Sequence, residues 1–198
     1  MQSGVYRGVS AEDRAADRRR RLLDATLSVW ADPDTRTTMT AVCAAAGLTE
    51  RYFYESFTGL DQAQTAVLEA VATEIETTTL EAADAAGEDP ARRIRAATEA
   101  FVSLLVTDPR KGRVAIVEAG AMPALRARRT ELLRHFAHLA AEVAHETLGL
   151  HRREDELAGL LFIGGMAEVV TAWLDGGLDA TPEEVVETAT RGFLGLYT

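Results

Sequence analysis

The chain is divided by a small set of helix breakers, and the segments between them have helical rather than strand periodicity. Only five prolines occur in 198 residues, and together with glycine they mark breaks such as residues 87–90, Asp108-Pro109 and Gly176-Gly177. Alanine and leucine are abundant between the breaks. No alternating run of β-branched residues is long enough to predict a strand. The sequence therefore predicts an all-α fold of about nine helices.

Caps and breaks set the expected helix boundaries, and the charge distribution divides the helices into two groups. The helices are expected at residues 11–31, 39–46, 50–57, 61–85, 91–107, 109–119, 123–148, 154–175 and 182–197. Residues 1–60 carry eight basic and eight acidic side chains, whereas the rest of the chain carries 13 basic and 23 acidic ones, which accounts for the net charge of −10. The sequence therefore predicts an N-terminal domain over residues 1–60 and a C-terminal helical bundle over residues 61–198.

The segment TTMTAVCAAAGLTERYFYESF (37–57) predicts a helix-turn-helix. Its first helix has apolar residues at helical spacing, and Thr38 can cap it. Gly47 is expected to end that helix, because glycine readily takes the left-handed conformation of a helix C-terminus. Thr49 is expected to cap the second helix.

The second helix of this motif has two different faces. Phe53 and Phe57 lie four residues apart and are expected to pack in the domain core. The side chains directed away from that core are Glu50, Arg51, Tyr52 and Tyr54. In a helix that enters the major groove, arginine pairs with guanine O6 and N7, glutamate accepts from cytosine N4, and tyrosine hydroxyls bond phosphate or a base edge. The alternative is a structural corner of two helices whose aromatic residues fill a small core.

Four consecutive arginines, Arg18 to Arg21, follow Arg14 in the first half of the first helix. Cations near a helix N-terminus oppose the helix dipole, so the energetics of this helix alone do not explain them. A DNA phosphate backbone would attract them. An exposed charged face balanced by neighbouring aspartates would equally accommodate them, and the sequence leaves both interpretations open.

Segment 37–57 resembles the DNA-binding signature of the TetR family of bacterial transcriptional regulators. In that signature a Thr begins the second helix, Ala-Gly makes the turn, Ser or Thr caps the third helix, and Tyr precedes a two-residue gap and Phe. The segments DPRKGRVAIVEAGAM (108–122) and GGMAEVVTAWLDGGLDATPEEVV (164–186) are also similar to C-terminal segments of this family. The resemblance implies three N-terminal helices that form a helix-turn-helix DNA-binding domain. About six further helices would hold a ligand pocket and a dimer interface.

The resemblance also implies which side chains meet DNA. Its phosphate-contacting positions correspond to Thr38, Thr49 and Tyr54. Its base-facing positions correspond to Glu50, Arg51 and Tyr52. The family usually has a lysine at the start of the fourth helix, where this chain has Leu60. Phosphate binding is therefore expected to depend more on Thr58, Tyr54 and the arginines.

Small-molecule sites in helical bundles are apolar cavities with a few polar groups. The candidate ligand-binding residues are Phe101, Leu105, Glu118, Met122, Phe136, Met166 and Trp173. Glu118 is distinctive because VAIVEAGAM places a carboxylate inside an apolar run, where it needs a partner or contact with solvent. All seven are also compatible with ordinary core packing.

The last two predicted helices carry features of a subunit interface. A run of leucines, Leu157, Leu160 and Leu161, precedes the pair Gly164-Gly165. Glycine inside a helix costs about 1 kcal/mol relative to alanine, so the pair predicts close approach of another helix. A homodimer through the last two helices would match a palindromic operator. Packing within one subunit is the alternative.

A histidine stripe raises a different function. His135, His138, Glu142 and His145 lie on one side of a helix, and Glu142-x-x-His145 has the spacing of di-iron carboxylate bundles. Such a site needs a second Glu-x-x-His motif, and the chain has none. No phosphate-binding loop, HExxH motif or catalytic triad pattern occurs either. The sequence therefore predicts no metal site, no cofactor and no enzymatic activity.

The remaining features concern the compartment. Cys43 is the single cysteine, so no intrachain disulfide can form. No apolar run is expected to approach the ~20 residues of a membrane span, and the N-terminus has no apolar signal segment. The expectation is a cytoplasmic protein without membrane contact.

Together these features predict a dimeric transcriptional repressor that binds double-stranded DNA at a palindromic operator. An unknown small-molecule effector in the C-terminal bundle would release it. Two alternatives remain: a DNA-binding adaptor whose bundle binds a protein partner, and an all-helical metalloenzyme that uses the histidine stripe.

Overall fold

The computed structural model describes residues 10–149 and 154–197. Across these residues it contains nine helices and no strand, which confirms the predicted all-α fold. The helices are α1 (Ala11–Ala31), α2 (Met39–Ala46), α3 (Glu50–Ser56), α4 (Leu60–Ala85), α5 (Pro90–Thr107), α6 (109–121), α7 (Arg126–Leu148), α8 (Asp155–Leu174) and α9 (Pro182–Leu196). Reciprocal capping boxes begin α1 at Ser10 and α9 at Thr181.

The first compact unit ends at Val67, inside α4. Its core is built from one face each of α1, α2 and α3 and includes Leu22, Val42 and Phe53, whose relative exposure is 0%. Phe57 joins them, with its ring centroid 5.6 Å from that of Phe53. The two phenylalanines therefore lie in the core, as their spacing predicted.

The second compact unit begins at Leu68 and contains the rest of α4 and helices α5 to α9. Within it, α7 packs along α8, and α5 packs along α9. The boundary between the units falls between Val67 and Leu68, within α4, and so lies beyond the boundary expected at residue 60. The reason is that the first turns of α4 place Leu60 and Ala63 against the N-terminal core before the helix continues into the second unit.

Helix α6 is wound more loosely in its middle. It begins as an α-helix at Pro109–Gly112, widens to a π-helix at Arg113–Glu118 and returns to an α-helix at Ala119–Ala121. Wide turns of this kind are rare and occur frequently at functional sites. This one supplies two side chains to the cavity described below.

Gly159 lets α7 and α8 approach closely. A Cβ atom at this position would lie 2.2 Å from the carbonyl oxygen of Ala137, far inside van der Waals contact. By contrast, Gly164 and Gly165 have no such neighbour within 4 Å of the place of a Cβ. The close helix approach within this subunit therefore occurs at Gly159, and the Gly164-Gly165 pair faces open space.

We expect Gly159→Ala to lower the free energy of unfolding by about 1–3 kcal/mol, because overpacking forces the backbones of α7 and α8 apart. Gly192→Ala is the matched control, since this exposed glycine of α9 has no such neighbour within 4 Å. The control should gain up to ~1 kcal/mol from helix propensity. Chemical denaturation of both variants measures the difference. Equal stability of the two variants would contradict the close packing at Gly159.

Helix α8 is more apolar than the sequence analysis expected. Its 20 residues are long and apolar enough to cross a membrane by length and composition, and only 17% of the most apolar window is buried. The expectation that no apolar run approaches this length is therefore wrong. A single helix of this kind is weak evidence for a membrane span, because helices that pack within soluble bundles pass the same test, and α8 packs along α7.

Candidate nucleic-acid interface and bundle cavity

The turn between α2 and α3 is built from backbone hydrogen bonds around Gly47. Thr38 begins α2, and its hydroxyl accepts a bond of 3.2 Å from the amide of Ala41. Gly47 has φ of 61°, in the left-handed region that glycine adopts most easily. The amides of Gly47 and Leu48 then bond the carbonyls of Ala44 and Cys43, at 3.1 and 3.0 Å. These two backbone hydrogen bonds form a Schellman motif, which ends α2 and sets the direction of the chain before α3.

Thr49 occupies the N-cap position of α3, but its side chain does not cap the helix. Its backbone is extended, and its carbonyl accepts from Tyr52 and Phe53, while its hydroxyl makes no capping bond. The expected side-chain cap is therefore absent. An exposed hydroxyl at this helix end can donate to a phosphate oxygen instead.

The outward face of α3 presents polar and aromatic groups away from the core. Glu50, Arg51 and Tyr54 are exposed, and Tyr54 retains 59% of its accessible surface. Arg51 Nε lies 3.2 Å from Glu55 Oε1, one helical turn away, and the Arg51 side chain is 85% exposed. Such an exposed pair contributes about 0.3–0.5 kcal/mol, so the guanidinium is easily released to another partner.

Tyr52 differs from its neighbours because α1 partly covers it. It is half-buried, and the Arg18 guanidinium carbon lies 4.6 Å from its ring centroid. Arg18 also lies 3.6 Å from Glu55. These contacts hold the Tyr52 ring in place beside the exposed Arg51.

Two arginines of α1 donate hydrogen bonds to α2 and α3. Arg19 donates to the carbonyl of Ser56 at 2.8 Å, and its guanidinium carbon lies 4.4 Å from the Phe57 ring centroid. Arg21 donates to the carbonyl of Ala46 at 2.7 Å. Each thus bonds a carbonyl at the C-terminal end of a helix, where acceptors are otherwise unpaired. Three of the four arginines therefore have a structural role that neither interpretation of the sequence included.

Arg20 is the exception in this run, since its ion pair is with Asp17 of the same helix. We expect Arg21→Ala to destabilise the first unit by about 1 kcal/mol, because it removes a charged donor from a helix C-terminus. Arg20→Ala, with the same change of charge, should cost less than half as much. Denaturation followed by fluorescence of buried Trp30, in a Trp173→Phe background, reports on this unit. Equal losses in the two variants would contradict the structural role of Arg21.

The second unit contains an apolar cavity of about 210 Å³. Helices α4 to α9 all contribute to its wall. Among the predicted ligand-binding residues, Phe101, Phe136 and Met166 line it. The described lining residues are apolar except for Thr79, Thr98 and Arg129.

The other four predicted ligand-binding residues do not line this cavity. Leu105 is 1% exposed and packs with Leu104 and Val170, as an ordinary core residue. Trp173 packs against Val102, and its indole nitrogen donates to the carbonyl of Ala180 at 3.0 Å.

Glu118 and Met122 lie at the C-terminal end of α6, outside the cavity lining. Glu118 accepts from Arg113 at 2.8 Å, which supplies the partner that its apolar surroundings demand. Met122 follows the last residue of α6, where the helix ends. Sequence alone could not separate cavity from core here, because both are apolar and differ only in which helices meet.

The histidine stripe is divided among separate acidic partners. His135 lies 2.8 Å from Glu76, His138 lies 3.4 Å from Glu142, and His145 lies 2.6 Å from Asp155. Among residues 10–149 and 154–197, no group of three or more metal-ligating side chains comes together. The stripe is therefore accounted for by pairwise contacts within the bundle.

Comparison with known proteins identifies the fold. A putative TetR-family transcriptional regulator from Syntrophomonas wolfei superimposes with a TM-score of 0.77 at 13% identity, over 92% of this chain and 95% of the other. A putative transcriptional regulator from Pseudomonas aeruginosa gives 0.75 at 19% identity, over 95% and 96%. The fatty acid degradation regulator FadR of Bacillus halodurans gives 0.71 at 17% identity, over 91% and 94%. The chain has the TetR fold. No family model and no curated protein matches the sequence.

In this TetR fold, Leu60 takes the place of the usual lysine at the start of α4. It is half-buried and packs against the N-terminal core. Nearby Thr58 is exposed, and its amide donates to Gln62 at 2.6 Å. An apolar contact therefore occupies the position where the resemblance implied a lysine.

Proposed function

We propose that the protein is a DNA-binding transcriptional regulator. The observation that carries this proposal is the division of α3 into two faces. Phe53 is fully buried, while Glu50, Arg51 and Tyr54 on the other sides are exposed, with the Tyr54 ring edge-on to Phe53 at 5.9 Å. A structural corner would not need exposed groups with the hydrogen-bonding pattern of base edges and phosphates. The TetR fold of the chain supports the same conclusion, since the Syntrophomonas wolfei protein with this fold is named as a putative transcriptional regulator.

The side chains of the helix-turn-helix divide into two proposed roles. Arg51, Glu50 and Tyr52 read base edges in the major groove. The phosphate contacts come from Thr38, Thr49, Tyr54 and Thr58. Thr49 suits this role because its hydroxyl makes no capping bond. Leu60 stands where the TetR family usually has a phosphate-binding lysine. The dependence of DNA affinity on salt concentration should therefore be shallower by about one phosphate contact per subunit.

We propose that the regulator acts as a homodimer joined in part through α8. One side of α8 exposes Leu157, Leu160 and Leu161, at 59%, 45% and 60%, and continues into the open Gly164-Gly165 pair. A run of exposed leucines on one helix is typical of a subunit interface. The glycines allow a second helix to approach closely. A two-fold dimer also presents two recognition helices to a palindromic operator.

The bundle cavity is the proposed effector site. It lies between helices and is apolar, as sites for small molecules usually are. Leu68, Ala72 and Ile75 of α4 line it, and the same helix places Leu60 and Ala63 in the N-terminal core. A ligand that binds one arrangement of α4 better than another would shift the population of DNA-binding conformers. Such a protein would work in the cytoplasm and would not be an enzyme.

Selection of bound duplexes from a random DNA pool tests the proposed function. The expected result is enrichment of a sequence with two-fold symmetry. The control is Arg51→Ala/Tyr54→Ala, which retains the core and should enrich nothing. The proposal would be rejected if the native protein enriched no sequence and also shifted the mobility of no duplex, including the DNA upstream of its own gene.

The adaptor alternative predicts a bundle without a pocket, whereas this one holds a cavity. Binding of a small molecule to the purified full-length protein would reject the adaptor alternative. The metalloenzyme alternative predicts stoichiometric iron or zinc in the purified protein, which elemental analysis measures directly.

A further inference from the structure

Among the residues that the structure describes, Arg129 is the single charged one in the lining of the bundle cavity. The two other polar residues of the described lining, Thr79 and Thr98, donate their hydroxyls to carbonyls of their own helices. Thr79 bonds Glu76 at 3.1 Å, and Thr98 bonds Ile94 at 2.8 Å. All other lining side chains are apolar. The Arg129 guanidinium is therefore the polar group of the described lining that makes no hydrogen bond within its own helix.

The guanidinium of Arg129 is poorly satisfied within the described part of the chain. Its one hydrogen bond runs from Nη2 to the carbonyl of Ile116, at a long 3.4 Å. Its Nε is buried and has no partner. No carboxylate of the described residues lies within ion-pair distance of it. Gly120 packs directly against it, since a Cβ there would lie 3.4 Å from Nε, in van der Waals contact.

Arg129 differs in this respect from the other half-buried cations of the second unit. Each of those has a carboxylate partner: Arg93 with Asp84, Arg95 with Glu99, Arg110 with Asp108, Lys111 with Glu74, Arg113 with Glu118 and Arg128 with Glu69. A half-buried charge in apolar surroundings is costly when it has no counter-ion. Arg129 therefore brings to the cavity wall a positive charge and a hydrogen-bond donor that no described side chain uses.

We propose that the effector is an amphipathic organic acid, with its carboxylate on Arg129 and its apolar body in the cavity. This inference rests on the proposed effector site. A carboxylate accepts two parallel bonds from a guanidinium and balances its single charge. A phosphate dianion would leave one charge uncompensated in an apolar cavity. The volume of about 210 Å³ exceeds the ~150 Å³ of a cavity that accepts benzene, so a medium alkyl chain or an aromatic ring fits.

The test measures binding of matched carboxylates and alcohols to the full-length protein by calorimetry. The probes are butanoate, octanoate, decanoate and phenylacetate, each paired with the neutral alcohol of the same carbon skeleton. We expect at least one acid to bind more than tenfold more tightly than its alcohol. Arg129→Met should weaken that acid by about 10- to 150-fold, the equivalent of a charge-assisted hydrogen bond, and leave the alcohol unchanged. Arg126→Ala, an exposed cation one turn earlier on α7, should bind like the native protein.

Three outcomes would overturn the proposal: no acid binds, acids and alcohols bind alike, or Arg129→Met retains the acid. Arg129→Met should melt no lower than the native protein, because it removes an unpaired charge, so loss of binding would not reflect unfolding. The outcome is separable from that of the proposed function. Acid binding without selected DNA would reject the regulator and keep the site, whereas selected DNA without acid binding would reject only this ligand class.

Discussion

Replacing Arg51 with alanine is expected to lower the affinity of the protein for its selected operator by about 30-fold or more. A bidentate arginine–guanine pair contributes about 1–3 kcal/mol, and a dimer makes two of them. The change should also relax base preference at one position of each half-site. Because the Arg51 side chain is 85% exposed and paired only with Glu55 one turn away, its loss should leave the fold unchanged. Fluorescence anisotropy on a labelled duplex at fixed salt measures the affinity.

Arg20→Ala is the matched control, since Arg20 is also an exposed arginine of the first unit and pairs with Asp17 of its own helix. It removes the same positive charge and should weaken all duplexes evenly by a small factor. If Arg51→Ala and Arg20→Ala lowered operator affinity equally, without changing base preference, Arg51 would not be a base-reading residue.

Introducing glutamate at both Leu157 and Leu161 is expected to separate the proposed dimer into monomers. These side chains are 59% and 60% exposed in the single chain, and burying a leucine contributes about 1.5–3 kcal/mol. Four leucines would be lost per dimer and four like charges brought together. We therefore expect the dimer dissociation constant to rise by at least ~1,000-fold, as measured by analytical ultracentrifugation. Operator binding should fall with it, because each monomer can contact only one half-site.

Leu178→Glu provides the control for this double substitution. Leu178 is 37% exposed and lies in the loop between α8 and α9, so Leu178→Glu adds a charge at an exposed leucine outside the proposed α8 contact. It should remain dimeric. A Leu157→Glu/Leu161→Glu protein that stayed dimeric and bound operator normally would place the dimer interface elsewhere on the chain.

The helices could be predicted from sequence because their ends depend on local chemistry. Capping residues, left-handed glycines and prolines act over a few residues, so Ser10, Gly47 and Pro182 are readable without the fold. The two faces of α3 were predictable for the same reason, since the positions of Phe53 and Phe57 determine where the remaining side chains point.

Features that depend on distant contacts could not be predicted. Arg19 and Arg21 bond carbonyls 37 and 25 residues away, and nothing in their own helix indicates this. Arg129 follows another arginine, Arg128, whose charge is paired with Glu69 in the folded chain. Only the packing of six helices shows which of these two adjacent cations faces an apolar cavity.

Sequence-specific DNA binding by α3 is the central claim, and a competition titration tests it most directly. The native protein is bound to the selected operator duplex at ~150 mM salt and displaced with either the same duplex or one of identical composition with scrambled half-sites. Specific recognition predicts that the operator competes at least ~1,000-fold more effectively. Equal competition by the two duplexes would show that the protein binds DNA only through charge, and it would contradict base reading by Glu50, Arg51 and Tyr52.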